Sequence, residues 1–362
     1  MIRNRNPFPV RLALCCGAVL GLLAVTGCEY DLKPLKGADG QTLVYAAVGK
    51  GGAPNSGIVL TRIGAVVIDP PLSPTIGERI NAFAWAKSKI FWDNLYKNQK
   101  SAPSTLAPPV LYVLNTTYRG SHSFGNRAFD KSADFISSEK AGKKLADIDE
   151  NAKMREVLKN EFHVPGVENQ VTLRPTITVE GTMSINTEDV EIKFITMGDC
   201  VGEGDAVVYL PQQKILFAGD LVIPGFVPYP KGRTATIGNW IAALDRLEKL
   251  EIDVVVPGHG FEGGKDLIAK QKAFLQALVA QTQAAIKAGK TVEQAMKEVQ
   301  LPNFGTWANS NEWLAGNVRL AYEELTKGSS NSRGQGANPN AGTGAAAASA
   351  KGIEGFDGFG DK

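Results

Sequence analysis

Three apolar runs in this chain stop abruptly, each at a turn that carries a chemically useful side chain. Val110-Leu111-Tyr112-Val113-Leu114 runs into the loop Asn115-Thr116-Thr117-Tyr118-Arg119-Gly120-Ser121-His122-Ser123-Phe124-Gly125-Asn126. Phe217-Ala218-Gly219-Asp220-Leu221 puts a carboxylate where a second run ends. Val254-Val255-Val256-Pro257-Gly258-His259-Gly260 puts a histidine on a glycine-bracketed turn. Short apolar runs bounded by turns read as buried strands. Flanking glycines let the backbone bend sharply and aim one side chain into a shared cleft.

The rest of the chain frames these runs as layers. Strand patterns are predicted at 43–48, 57–61, 65–68, 134–137, 170–173, 176–180, 190–196, 206–210 and 214–218. A helix begins near Pro74 and is followed by a Lys-, Trp- and Pro-containing stretch over 87–109. Residues 237–250 form an amphipathic helix, and 264–289, 292–299 and 312–327 read as helical. Strand groups punctuated by helices point to an α/β architecture, not to an all-β sandwich or a helical bundle.

The two ends read differently. Arg3, Arg5 and Arg11, an apolar run from Leu12 to Val25, and then Thr26-Gly27-Cys28 have the form of a secretory signal peptide over 1–27. The apolar run is short of the roughly 20 residues a spanning helix needs. Val25-Thr26-Gly27-Cys28 resembles a bacterial lipobox, with Cys28 as the lipidated first residue; a plain secreted protein or an ordinary N-terminal anchor is the alternative. Lipidation implies a cell-envelope location, and Glu29 after the Cys favours the outer membrane where there is one. Removing the three arginines takes 39 basic residues to 36 against 37 acidic ones, a mature chain near −1 instead of +2. Neither value suits a nucleic-acid binder. Of four cysteines, Cys15 and Cys16 leave with the leader and Cys28 is acylated, so Cys200 remains as a free thiol. Residues 28–42 read as a linker, 43–327 as one domain, and the Gly-, Ala-, Ser- and Asn-rich 328–362 as a disordered tail. The last stretch of that tail, from Gly352 to Gly360, is either a docking peptide or simply solvated.

In order and spacing the three loops resemble the principal motifs of the metallo-β-lactamase superfamily. The resemblance covers roughly 43–326 and takes in Asn55-Ser56-Gly57, the Asp69 turn, Tyr209-Leu210-Pro211 and Trp240. It implies a single-domain αββα sandwich with a metal centre at one edge between two sheets. The family's His-x-His-x-Asp-His motif falls on Thr117-Tyr118-Arg119-Gly120-Ser121-His122, where only His122 is kept. The family's next histidine falls on Val201, or on Cys200 with a one-residue slip. Asp220 and His259 stand at its bridging Asp and final His.

The resemblance therefore implies that the first metal site is lost, with Thr117, Arg119 and Val201 in place of histidines. His122, Asp220 and His259 remain as the ligands of at most one zinc or iron ion. The alternative is metal-free, with Arg119 paired to Asp220. With a metal, Arg119 and Asp220 are the catalytic candidates, Arg119 steadying an oxyanion. Asp69 supports the loops by analogy with the family, and Thr117, Ser121 and Cys200 line or flank the pocket. Cys200 is a soft ligand, a reactive thiol or a small buried side chain. His163 lies far from every motif.

Two functions stay open from sequence. One is a divergent single-metal hydrolase acting on an ester, amide or thioester. The other is a non-catalytic lipoprotein that binds a small molecule or an envelope protein on an inherited scaffold.

Overall fold

The computed structural model describes residues 23–25, 28–38, 43–97, 110–129, 133–164, 166–168, 170–187, 189–231 and 236–333. Eight strands form the first sheet in sequence order: β1 Leu23–Val25, β2 Cys28–Leu35, β3 Val44–Gly49, β4 Ser56–Thr61, β5 Gly64–Ile68, β6 Val110–Leu114, β7 Asp134–Ser138 and β8 Ile177–Val179. The ladder is antiparallel up to β5 and parallel from β5 to β8. The second sheet holds β9 Thr182–Thr187, β10 Val190–Gly198, β11 Asp205–Leu210, β12 Ile215–Gly219 and β13 Val254–Pro257. Only its β12/β13 pair is parallel.

Strand periodicity explains why continuous apolar runs are needed. Successive side chains point to opposite faces. In β5, Val66 and Ile68 face the second sheet, while Ala65 and Val67 face α1 (Pro74–Tyr96), a helix capped by Ser73. In β11, Val208 and Leu210 meet the first sheet, and Val207 and Tyr209 face the outer helices. The short α2 (Gly120–Ser123), α3 (Glu139–Ala146) and α4 (Ile148–Asn160) belong to the first sheet's half of the molecule. Over the second sheet lie α5 (Ile237–Leu247), α6 (Asp266–Lys287), α7 (Val292–Glu298) and α8 (Ser310–Arg333), gathered around Trp240, Phe274, Leu278 and Val318. The result is the αββα arrangement.

Some elements depart from the sequence reading. Residues 170–173 form no strand: Thr172 is tied by its N–H and hydroxyl to Asn151 and Leu145, so side-chain bonds replace a ladder. Strand β9 was not predicted because Thr182-Met183-Ser184-Ile185-Asn186-Thr187 is a polar edge strand with little apolar signal. Helices α3 and α4 were not predicted either; their Lys- and Glu-rich surfaces leave few apolar positions. Helix α1 runs on through Tyr96 into the stretch after its expected end. The linker expected over 28–42 includes β2, which pairs with β3 along its length. The leader lies outside the described residues apart from the backbone of β1. The tail lies outside them from 334 onward, while α8 runs to Arg333. Among the described residues no helix is long and apolar enough to cross a membrane.

Candidate metal centre

The loops that follow β5, β6, β12 and β13 meet at one edge of the sandwich. Parallel pairing sets their starts level, Ile68 opposite Leu114 and Gly219 opposite Pro257. Gly219 takes φ +53°, and a Cβ there would collide with the Thr116 hydroxyl. The Gly258 N–H donates to the Gly219 carbonyl at 2.8 Å, which fixes the spacing between Asp220 and His259. Asn55 closes the other side: its amide donates to the carbonyls of Pro257 and Gly260 at 2.8 Å each, and its Oδ1 accepts from Gly49 N–H at 2.9 Å.

This framework brings His122, Asp220 and His259 together. Their ligand atoms all lie within 4.8 Å of one another. His122 Nε2 is 3.0 Å and His259 Nε2 3.4 Å from Asp220 Oδ1. His259 Nδ1 sits 2.7 Å from the Gly52 carbonyl, which only accepts, so Nδ1 carries a proton and Nε2 is the nitrogen that faces Asp220. His122 Nδ1 lies 3.5 Å from Asp69 Oδ2. Asp69 is itself held by Thr116, whose N–H and hydroxyl donate to its two oxygens at 2.8 and 2.5 Å. Asp69 thus ties the turn after β5 to the loop that carries His122.

Arg119 does not fill the centre. Its Nη2 donates to the Val201 carbonyl at 3.2 Å, and its Nε stands 3.8 Å from Asp220 Oδ2 without a hydrogen bond. Thr117 is buried, and its hydroxyl has no hydrogen-bond partner. Ser121 contributes its carbonyl to Leu72 N–H. Cys200 belongs to the core under Trp240, with its sulfur against the Met197 and Asn239 carbonyls, and burial pushes its thiol pKa up. It is a small buried side chain, neither ligand nor exposed nucleophile. His163 is exposed, on a backbone of φ +51°.

Several participants escaped sequence reading. Asn115 and Asn126 bond each other, and Asn115 also donates to the His122 carbonyl at 3.0 Å. Asp205 is buried, and its Oδ2 accepts from the N–H groups of Val201 and Gly202 at 2.6 and 2.8 Å. Burial raises its pKa to about 6 against the opposing pull of those N–H groups and Arg119.

The donor set fits one divalent ion. Two imidazoles and a carboxylate suit zinc or iron, and bonds of about 2.0–2.2 Å place neighbouring ligand atoms roughly 3.3 Å apart. The far nitrogen of His259 is hydrogen-bonded to the Gly52 carbonyl, which orients that ring, and the far nitrogen of His122 faces Asp69 at 3.5 Å without a hydrogen bond.

Without metal, burial would lower the His122 pKa, but Asp220 and Asp69 outweigh it and raise it to about 10. Asp220 is held well below the usual carboxylate range: burial works against ionisation, and the two histidines overcome it. A histidine whose folded pKa exceeds its unfolded value of about 6.5 stabilises fully below that value. That stabilisation is lost as pH climbs toward 10. Urea unfolding of chelated protein is therefore expected to show stability falling between pH 7 and 10; a flat profile would contradict the His122–Asp220 pairing.

Residues 105–259 match the family model described as the metallo-beta-lactamase superfamily. No curated protein matches. Among solved structures, a double mutant of the sec-alkyl sulfatase PisA1 aligns with a TM-score of 0.58 at 17% identity, over 79% of this chain and 49% of that one. The stereoselective inverting sec-alkylsulfatase Pisa1 from Pseudomonas sp. aligns with 0.56 at 18% identity, over 78% and 49%. A metallo-beta-lactamase from Pontibacter korlensis aligns with 0.45 at 20% identity, over 71% and 98%. The chain thus spans about half the length of the sec-alkylsulfatases it resembles.

Proposed function

We propose, for a chain whose residues 105–259 match the metallo-β-lactamase superfamily model, that it is a hydrolase working with one divalent metal ion. The observation that carries this reading is the convergence of His122, Asp220 and His259 within 4.8 Å, with their donor atoms turned to a common point. The ion, when bound, would supply Lewis acidity, acidifying water and polarising a substrate oxygen. His259, hydrogen-bonded to Gly52, and His122, with Asp69 behind its ring, would present their ligand nitrogens to the ion. Asp220 balances part of the ion's charge, and Arg119 steadies negative charge on the substrate. The first metal site of the family has no counterpart in Thr117, Arg119 and Val201. We place the protein in the cell envelope, held by a lipid on Cys28, with a small molecule as its ligand.

One observation favours the second reading, a non-catalytic envelope lipoprotein: Arg119 lies 3.8 Å from Asp220 and already offsets part of its charge. A panel of aryl acetates, sulfates and phosphates separates the two. Zinc-loaded protein is expected to hydrolyse at least one of them, and the rate to drop by about 100-fold or more in His259→Ala and in chelator. A rate that neither change affects would refute the metal-dependent reading.

A further inference from the structure

The loop that presents His122 also holds two donors that the metal centre leaves unused. Arg119 Nε is buried without a hydrogen-bond partner, although Nη2 is anchored on the Val201 carbonyl. Two residues earlier, Thr117 is 1% exposed and its hydroxyl has no partner. Buried polar groups are nearly always paired, and an unpaired one at a site calls for an explanation. A guanidinium can only donate, and a threonine hydroxyl can donate. The partner that satisfies both is an acceptor-rich group, and the guanidinium makes an oxyanion the best match.

Arg119 is anchored from the far side of its guanidinium. Asp205 accepts from Val201 and Gly202 N–H and so fixes the turn whose carbonyl holds Arg119. Arg119 is therefore pinned through Nη2, while its buried Nε stands 3.8 Å from the Asp220 oxygen that His122 does not use and makes no hydrogen bond.

We propose that Arg119 and Thr117 form an oxyanion subsite beside the metal centre. The substrate would then be a small molecule that carries a permanently ionised carboxylate, sulfate or phosphate oxygen. Its link to hydrolysis rests on the single-metal reading; the binding of the anion does not.

The test is calorimetric titration of inorganic phosphate, and separately of zinc, into the mature protein, Arg119→Gln and Thr117→Val. Phosphate is expected to bind the parent in the presence and absence of zinc. Affinity should fall by about tenfold or more in Arg119→Gln and by a few fold in Thr117→Val. Zinc affinity should stay within about threefold of the parent in Thr117→Val and should hold or rise in Arg119→Gln, where a competing cation has left Asp220. Thr117→Val is near-isosteric, so it keeps the test valid should the arginine variant fold poorly. Parent-like phosphate binding in both variants, or no binding by the parent at millimolar phosphate, overturns the subsite. Arg119-dependent phosphate binding without any zinc binding supports the subsite and removes the single-metal reading instead.

Discussion

Asp220→Ala is expected to cost the metal-free protein about 3–5 kcal/mol in urea unfolding. Asp220 is 8% exposed and is the shared partner of His122, His259 and, at longer range, Arg119. Removing it strands a fully buried imidazole, raised to about 10 by its carboxylate neighbours, with only Asp69 at 3.5 Å. It also leaves the Arg119 guanidinium without its nearest counter-charge. Truncating one member of a buried charge pair costs more than the pair's net worth, because the other charge stays behind without compensation. His259→Ala should cost less, since that side chain is 23% exposed and water can replace its contacts. A loss below about 1 kcal/mol for Asp220→Ala would mean that the three residues do not form the interlocked cluster described.

Trp240→Ala should be comparably severe, about 3–5 kcal/mol, for a different reason. Trp240 is fully buried between the second sheet and the outer helices, and its indole N–H donates to the Leu221 carbonyl at 2.9 Å. Its loss opens a large cavity and frees the residue next to Asp220. Trp240→Phe should retain most of the packing and lose about 1 kcal/mol for the hydrogen bond. Equilibrium unfolding of both variants checks this; near-equal losses would assign the effect to the hydrogen bond rather than to the cavity.

The parts of the fold legible in sequence are those where one physical signal dominates. Strands β5, β6, β12 and β13 are apolar almost throughout because both faces are covered, and no helix of that length fits between their turns. Strand β9 was illegible because an edge strand can be polar, and β2 because its sequence, Cys28 to Leu35, mixes charge and proline. At the site, the loops of His122, Asp220 and His259 stood out as turns after apolar runs, and resemblance to the family's motifs picked the three residues within them. Asp69 was placed only through family resemblance; what makes it matter, two bonds from Thr116 and the approach to His122, is tertiary. Asp205 heads β11 after a glycine-rich turn and gave no signal of its own. Its burial depends on Val201 and Gly202 supplying N–H groups, which sequence does not display. Helix α3 escaped because it is only eight residues long and buries Ala141, Gly142 and Leu145 among lysines, and α4 because its buried positions are Asn151 and Leu158.

The central claim is that His122, Asp220 and His259 hold a single metal ion. Elemental analysis of mature protein after zinc loading and gel filtration tests it most directly. The account predicts about one equivalent of zinc per chain, absent from a folded His259→Ala variant and accompanied in the parent by a melting temperature that falls in chelator. No retained metal, with a melting temperature indifferent to chelator, would contradict it.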